Sequence, residues 1–367
     1  MGKQLGARNR VAPVEARGRL FVRFAVTRES TDVCGPVGYG ITLMLEAVLE
    51  DCRSYSRREF LGRTTSCAAH MGVMAAASPL WARGLWTRQE RFPVVASEPW
   101  GRLEQISDGI WALVSNPLED RTTLCNGGIV AGRAGVVVIE SFASDEGARW
   151  MAQQAMRLAG RPPTHVIVTH YHGDHTGGLR GAAESADVVM LATGLTRDTI
   201  LERNGDAPAD VLERVELVSG GGPTEIDLGD RSLLVVPRRG HTDSDVSIEI
   251  ADPSVVFCGD LVWNGMFPNY VDAVPNQLTP NVRVMRRTEP TTYVPGHGPL
   301  ADDAAMGVYL ELLEDVEAAA RRAIEQGITA EQAGEQYALP RGMEDWTLFS
   351  PQYFGRAIGA WMGVLNG

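Results

Sequence analysis

Four side chains able to hold a metal ion fall within six residues, in His170-Tyr171-His172-Gly173-Asp174-His175. His170 and His172 are two apart, so an extended segment projects both to one side. Asp174 and His175 follow where the chain must turn, and Gly177-Gly178 let the backbone do so. Imidazole nitrogen and carboxylate oxygen are the ligands that borderline-soft Zn²⁺ accepts. The chain has seven His. Beyond these three, His241 stands in Arg239-Gly240-His241-Thr242 and His297 in Gly296-His297-Gly298. Asp260 follows an apolar run in Phe257-Cys258-Gly259-Asp260. His165 sits inside an apolar run and is read as structural, while His70 lies in the N-terminal leader.

The elements that must position these groups can be read from hydrophobic period. Strands are expected at Leu103–Ile106 and Ile110–Val114, on either side of an Asp108-Gly109 turn. Two more are expected at Thr123–Ala131 and Val136–Glu140. Ala148–Ala159 has helical spacing and ends at Gly160. His165–Thr169 is an apolar strand leading directly into His170. Val188–Ala192, Ser232–Val236, Val246–Ile250, Ser254–Cys258 and Thr291–Val294 complete the strands. Thr196–Arg203, Met306–Gln326 and Gln352–Leu365 complete the helices. Strands and helices alternate in two similar halves, which establishes an α/β class.

Composition removes several function classes. Lys3 is the only lysine, so a phosphate loop and a Schiff-base mechanism have no residue to use. No Gly-x-Ser-x-Gly elbow occurs. The net charge is −12; residues 1–82 carry 11 basic and 7 acidic residues, so the remainder carries −16. A body this acidic does not suit a nucleic-acid backbone, and a small-molecule substrate is the expected partner. Cys125 and Cys258 are expected to be small buried side chains, with a single bridge between them as the alternative.

Residues 56–61, Ser56-Arg57-Arg58-Glu59-Phe60-Leu61, resemble a bacterial twin-arginine export signal. A weakly apolar stretch from Thr64 to Ala77 and small residues around Ala77 and Ala82 complete the order of such a signal. The apolar part is far short of the ~20 residues that span a bilayer. The expected organisation is a doubtful extension at 1–43 with translation beginning at Met44, a signal peptide at 44–82, and a folded body at 96–367. Export implies a periplasmic or secreted protein with no stable membrane anchor.

The ordered set His-x-His-x-Asp-His, then a distant His, Asp and His, resembles the signature of the metallo-β-lactamase-fold superfamily. The resemblance covers roughly residues 100–300 and implies a four-layer α/β/β/α sandwich. It also implies that His170, His172 and His241 hold one metal, that Asp174, His175 and His297 hold a second, and that Asp260 bridges them. Two Zn²⁺ are the expected cofactors, with Fe or Mn accepted by the same ligand set. Glyoxalase-II-like members keep Asp at the place of Asp260, whereas the best-known antibiotic-degrading members have Cys or Ser. Glu140 departs from the Asp usual at its position, which leaves its partner open.

Two ions about 3.5–4 Å apart can share a water and lower its pKa towards neutrality. The resemblance therefore implies a hydrolase whose metal-bridged hydroxide attacks a lactone, thioester, ester or β-lactam carbonyl. Asp174 is the candidate catalytic side chain that orients the water. Other readings are a mononuclear-iron sulfur dioxygenase, an exported β-lactamase proper, and a non-catalytic metal-binding protein. Trp263, Phe267 and Tyr270, in the aromatic segment after Asp260, are candidate pocket residues, and Arg239 is a candidate for a substrate carboxylate.

Overall fold

The computed structural model describes residues 92–116, 121–184, 187–203, 207–218 and 221–367. The extension and the export signal lie outside the described residues. Eight strands form one sheet in chain order: β1 (Val94–Glu98), β2 (Gly101–Ser107), β3 (Ile110–Ser115), β4 (Gly127–Ala131), β5 (Val136–Ile139), β6 (His165–Ile167), β7 (Val189–Thr193) and β8 (Glu216–Val218). Pairing is antiparallel from β1 to β5 and parallel from β5 to β8. The second sheet has five strands: β9 (Thr224–Asp227), β10 (Ser232–Pro237), β11 (Val246–Ile250), β12 (Val255–Trp263) and β13 (Thr292–His297), in the order β13-β12-β11-β10-β9. The helices are α1 (Asp145–Ala159), α2 (Gly173–Thr176), α3 (Leu179–Ala182), α4 (Gly194–Arg203), α5 (Ala209–Leu212), α6 (Pro275–Met285), α7 (Asp303–Gln326), α8 (Ala330–Gln336) and α9 (Gln352–Asn366).

Three separate apolar clusters show how these elements are layered. In β3, Ile110 and Ala112 face the second sheet, while Trp111 and Leu113 face the α1 side. β5 alternates the same way, with Val137 and Ile139 inward and Val136 and Val138 outward. In β12, Val255 and Phe257 join the cluster between the sheets, and Val256 and Cys258 join a cluster with α6, α7 and α9. A strand buried on both faces reads as a near-continuous apolar run, as β3 does up to Ser115 and β12 does apart from Gly259 and Asp260. Helices, sheet, sheet and helices thus form four layers, as expected. The sheets approach so closely that a Cβ on Gly128 would lie 2.3 Å from Phe257 Cε1. Only glycine fits there.

The helix ends follow their caps. Ser144 accepts from Gly147 N at the start of α1, and Gly160 closes it at φ 70°. Asp302 caps α7, which ends at Gly327 with φ 65°.

Strand limits differ from expectation where the chain leaves a ladder to serve the site. β4 begins at Gly127, not Thr123, because Asn126 turns aside. Its Nδ2 donates to Pro295 O at 2.9 Å and Gly298 O at 2.7 Å, holding the turn that carries His297. β6 ends at Ile167, and Thr169 turns towards Glu140. β12 runs on to Trp263, so Asp260 lies inside a strand rather than at its end. Its register against β13 breaks at Gly259, whose φ is 51°. Sequence period missed β1, β8, β9, α6 and α8, and the one-turn helices α2, α3 and α5. Cys125 and Cys258 are buried free thiols, not a bridge.

Candidate metal centre

The site lies where the ends of β6, β10, β12 and β13 meet. α2 begins directly after His172, so one turn carries Asp174 and His175 beneath the two preceding imidazoles. His241 sits in the turn between β10 and β11. There Thr242 N and Oγ1 donate to the Asp245 carboxylate, with Oγ1 at 2.6 Å. His297 ends β13.

The ligand atoms form two groups that share one carboxylate. His170, His172, His241 and Asp260 make the first, and Asp174, His175, Asp260 and His297 make the second. Asp260 Oδ2 faces His241 Nε2 at 3.3 Å, and Asp260 Oδ1 faces His175 Nε2 at 3.1 Å and His297 Nε2 at 3.3 Å. All seven residues singled out from sequence therefore converge.

Hydrogen bonds fix which nitrogens are bare. The Thr169 hydroxyl donates to Glu140 Oε1 at 2.6 Å, so it accepts from His170 Nδ1 at 3.0 Å. His172 Nε2 donates to Asp272 Oδ2 at 3.0 Å. The remaining nitrogens, His170 Nε2 and His172 Nδ1, turn lone pairs towards each other at 3.1 Å, and His241 Nε2 stands 2.9 Å from the same His172 Nδ1. Burial, then the neighbouring His175, holds His170 well below its usual pKa, and burial brings His241 down to about 3. Facing lone pairs on neutral rings repel unless a cation lies between them.

The second group makes the same point. Nε2 of His175, Nε2 of His297 and Oδ1 of Asp260 are buried without a hydrogen bond, although they approach one another. Such orphans are costly in a low-dielectric interior, and a shared cation satisfies all of them. The donor set of imidazole and carboxylate fits divalent metals. Without a metal, protons fill the role. Burial would lower His297, but Asp260 and Asp174 raise it to about 9. Burial would raise Asp174, but His175 and His297 hold it at about 2.

Glu140 is resolved by the same contacts. Its Oε1 lies 3.1 Å from His175 Nδ1, so the longer side chain reaches one ligand directly and another through Thr169. Its backbone has φ 79°, an uncommon conformation for a side-chain-bearing residue. Gly296 is needed at the floor, where a Cβ would meet Asp260 Oδ1 and would lie 2.8 Å from the Gly259 carbonyl carbon.

Above the ligands opens a cleft of about 620 Å³. Of the four pocket candidates, Trp263 lines it. Phe267 and Tyr270 do not; both are core residues, and Phe267 packs against Tyr337 and Phe354. Arg239 points into solvent and pairs with Asp243, so it faces no ligand there. Sequence reasoning missed Thr169, Asp272, Arg121, Phe349 and Tyr353. None stands in a motif; Asp272 lies twelve positions past Asp260 in an unremarkable loop, and Tyr353 opens a helix near the C-terminus. Arg203 adds a further link, donating to Asp272 Oδ2 at 2.6 Å with its guanidinium 4.9 Å above the Tyr171 ring.

Comparison with known proteins agrees with this geometry. The 2,4-dinitroanisole O-demethylase subunit alpha of a Nocardioides species is 26% identical over 62% of this chain and 63% of its own length, so the match spans under two thirds of that relative. Hydroxyacylglutathione hydrolase of Hahella chejuensis is 27% identical over 42% of this chain and 59% of its own, and metallo-beta-lactamase type 2 of Bacillus cereus is 22% identical over 58% and 82%. Among solved structures, a stereoselective inverting sec-alkylsulfatase from a Pseudomonas species covers 70% of this chain and 49% of its own, with TM-score 0.55 and 15% identity. The metallo-beta-lactamase of Erythrobacter litoralis covers 61% and 100%, with TM-score 0.50 and 20% identity. At these identities the structural likeness is one of fold. The family model of the metallo-beta-lactamase superfamily matches residues 120–297, and this segment, with its two sheets and its His/Asp cluster, is a metallo-beta-lactamase superfamily domain.

Proposed function

We propose that the protein is a hydrolase that uses two divalent ions, Zn²⁺ in the first instance, on the carbonyl of a small lactone, thioester, ester or β-lactam. The observation that carries this reading is Asp260, one oxygen of which faces each ligand group. The first ion would be held by His170, His172 and His241, the second by Asp174, His175 and His297, with Asp260 between them. When bound, the ions would supply an activated water and a Lewis acid for the carbonyl oxygen. Asp174, 26% exposed on the cleft side, would orient that water and carry its proton. Glu140, Thr169 and Asp272 would keep three imidazoles in the tautomers that bind metal. Buried Trp263 lies with its ring 4.1 Å from that of His297 and would help exclude bulk water from one side.

Hydroxyacylglutathione hydrolase, a human acyl-coenzyme A thioesterase that is 30% identical over 31% of this chain, and the β-lactamases support a hydrolytic reading without choosing the substrate. Asp260, in place of Cys or Ser, favours the first two. The test is elemental analysis of the purified protein together with hydrolysis of a chromogenic β-lactam, an S-acyl thioester and an aryl lactone, with and without chelator. Chelator-sensitive turnover with two zinc ions per chain supports the reading. One iron per chain with oxygen uptake on a persulfide would replace it with the dioxygenase. We further propose export by the twin-arginine route with cleavage after Ala77 or Ala82, on the residues quoted above. A native N-terminus at neither position, or a peptide from residues 5–40, would overturn that. The described helices include none long and apolar enough to cross a membrane.

A further inference from the structure

The cleft above the ligand groups is lined by two unlike sets of residues. One comes from the segment 346–356, which lies beyond the stretch matched by the family model. Thr347 N donates to Gly265 O at 2.9 Å, and Thr347 O accepts from Phe267 N at 2.9 Å. Arg356 Nη1 donates to Asn269 Oδ1 at 2.6 Å. These bonds fasten the segment to the loop after β12 and set Phe349 and Tyr353 on the cleft. Phe349 meets Trp263 edge-on, with ring centroids 6.2 Å apart and planes at 80°, yet remains 36% exposed. Tyr353 is half-buried. The lining also includes Leu124, half-exposed Val271 and Arg121. Arg121 is exposed and makes no ion pair among the described residues.

Phe349 and Trp263, set edge-on, and Tyr353 beside them on the cleft offer aromatic surface to a flat ring, and such contacts favour an aromatic group beyond its area alone. The Arg121 guanidinium offers a planar fork that matches a carboxylate or sulfonate. Both lie within one cleft of about 620 Å³, a volume for a small molecule rather than a chain. Two divalent ions at the floor would outweigh the two ligand carboxylates, so the bound site favours an anion despite the acidic body.

We propose that the substrate carries a planar aromatic ring, seated against Phe349, Tyr353 and Trp263, and an anionic group at Arg121, with its scissile carbonyl at the metals; this rests on the hydrolase reading. Phe349 and Tyr353 are then specificity-determining residues supplied from outside the matched domain.

The test is calorimetric binding to the zinc-loaded chain of 3-phenylpropanoate against 3-cyclohexylpropanoate, which share a carboxylate. The cyclohexyl compound is at least as apolar, so burial alone favours it. Ring contacts should instead make the phenyl compound roughly three- to tenfold tighter. The double variant Phe349→Leu with Tyr353→Leu should remove that preference, with circular dichroism confirming the fold. A para-carboxylate on the phenyl ring should tighten binding further, and Arg121→Gln should erase that gain. Equal or tighter binding of the cyclohexyl compound, or a phenyl preference that survives the double variant, overturns the proposal. Turnover of the matching thioesters reads the other layer. A phenyl preference in binding with no hydrolysis sinks the carbonyl hydrolase and keeps the ring site; hydrolysis without ring preference does the reverse.

Discussion

Replacing Asp272 by Ala tests whether the second layer around the ligands sets metal affinity. Asp272 Oδ2 accepts from His172 Nε2 at 3.0 Å and from Arg203 at 2.6 Å. Its loss frees the His172 ring to rotate and removes the tie that keeps Nδ1 bare. Partners of this kind are worth roughly 10–100-fold in metal affinity. The His172 and Asp272 side chains are 16% and 20% exposed, so water can replace part of the bond. The lower end applies, about tenfold, or about 1.4 kcal/mol. Only the ion held by His170, His172 and His241 should weaken, because the second group has no contact with Asp272. Arg203→Ala removes a pair whose Arg is 57% exposed, and exposed pairs are worth about 0–1 kcal/mol. Its effect should therefore be less than about fivefold. The assay is zinc titration against a chromophoric chelator, which resolves two affinities, with thermal melts to show an unchanged fold. Equal weakening of both ions, or of neither, would refute the assignment of Asp272 to one group.

Gly296→Ala places a methyl group against Asp260 Oδ1 and 2.8 Å from the Gly259 backbone, so it should abolish binding of both ions, read as loss of zinc on gel filtration from a protein that still folds. Proton release should accompany the second ion only. His297 is raised to about 9 in the metal-free protein and His241 lowered to about 3, so at pH 7 a metal displaces a proton from His297 and none from His241. Affinity at the second group should then rise with pH through about 9, the more so because His175 in the same group is also raised well above its usual value, and calorimetry in buffers of different ionisation enthalpy checks this. A proton released with the first ion instead would reverse the assignment. Phe257→Ala opens a cavity between the sheets and should cost about 3–5 kcal/mol, seen as a lowered denaturant midpoint.

The convergence of the seven candidate ligands was legible because metal ligation constrains residue type and local spacing together. His170 and His172 need only an extended stretch, and Asp174 and His175 need only one turn after it. The apolar strand His165–Ile167 aims that run at the site, and its period is visible in any window. Layering was legible for a related reason. β3 is apolar from Ile110 to Val114 and β12 from Val255 to Cys258, runs that fit a strand packed on both faces. The short edge strands β8 and β9 were not legible, because Glu216–Val218 and Thr224–Asp227 each bury a single residue. Their pairing, not their own sequence, makes them strands.

The pocket residues failed for a different reason, which bears on how such sites should be read. The segment after Asp260 is aromatic and near the ligands in sequence, and that made Phe267 and Tyr270 attractive. But β12 continues to Trp263 and the chain then dives under α9, so those two rings fill the core. The rings that do face the cleft with Trp263, Phe349 and Tyr353, lie more than eighty residues from Asp260 and arrive through the pairing of Thr347 with the 265–267 loop. Proximity in sequence helps with the run from His170 to His175, where four candidate ligands share one strand end and one turn. It does not locate a substrate contact, which can come from any element that packs at the rim. Asp272 and Arg203 follow the same logic: Asp272 meets His172, and Arg203, sixty-nine residues away in sequence, meets Asp272. The rim of the cleft is thus the part that local pattern does not reach, and two of its rings, Phe349 and Tyr353, come from outside the matched domain.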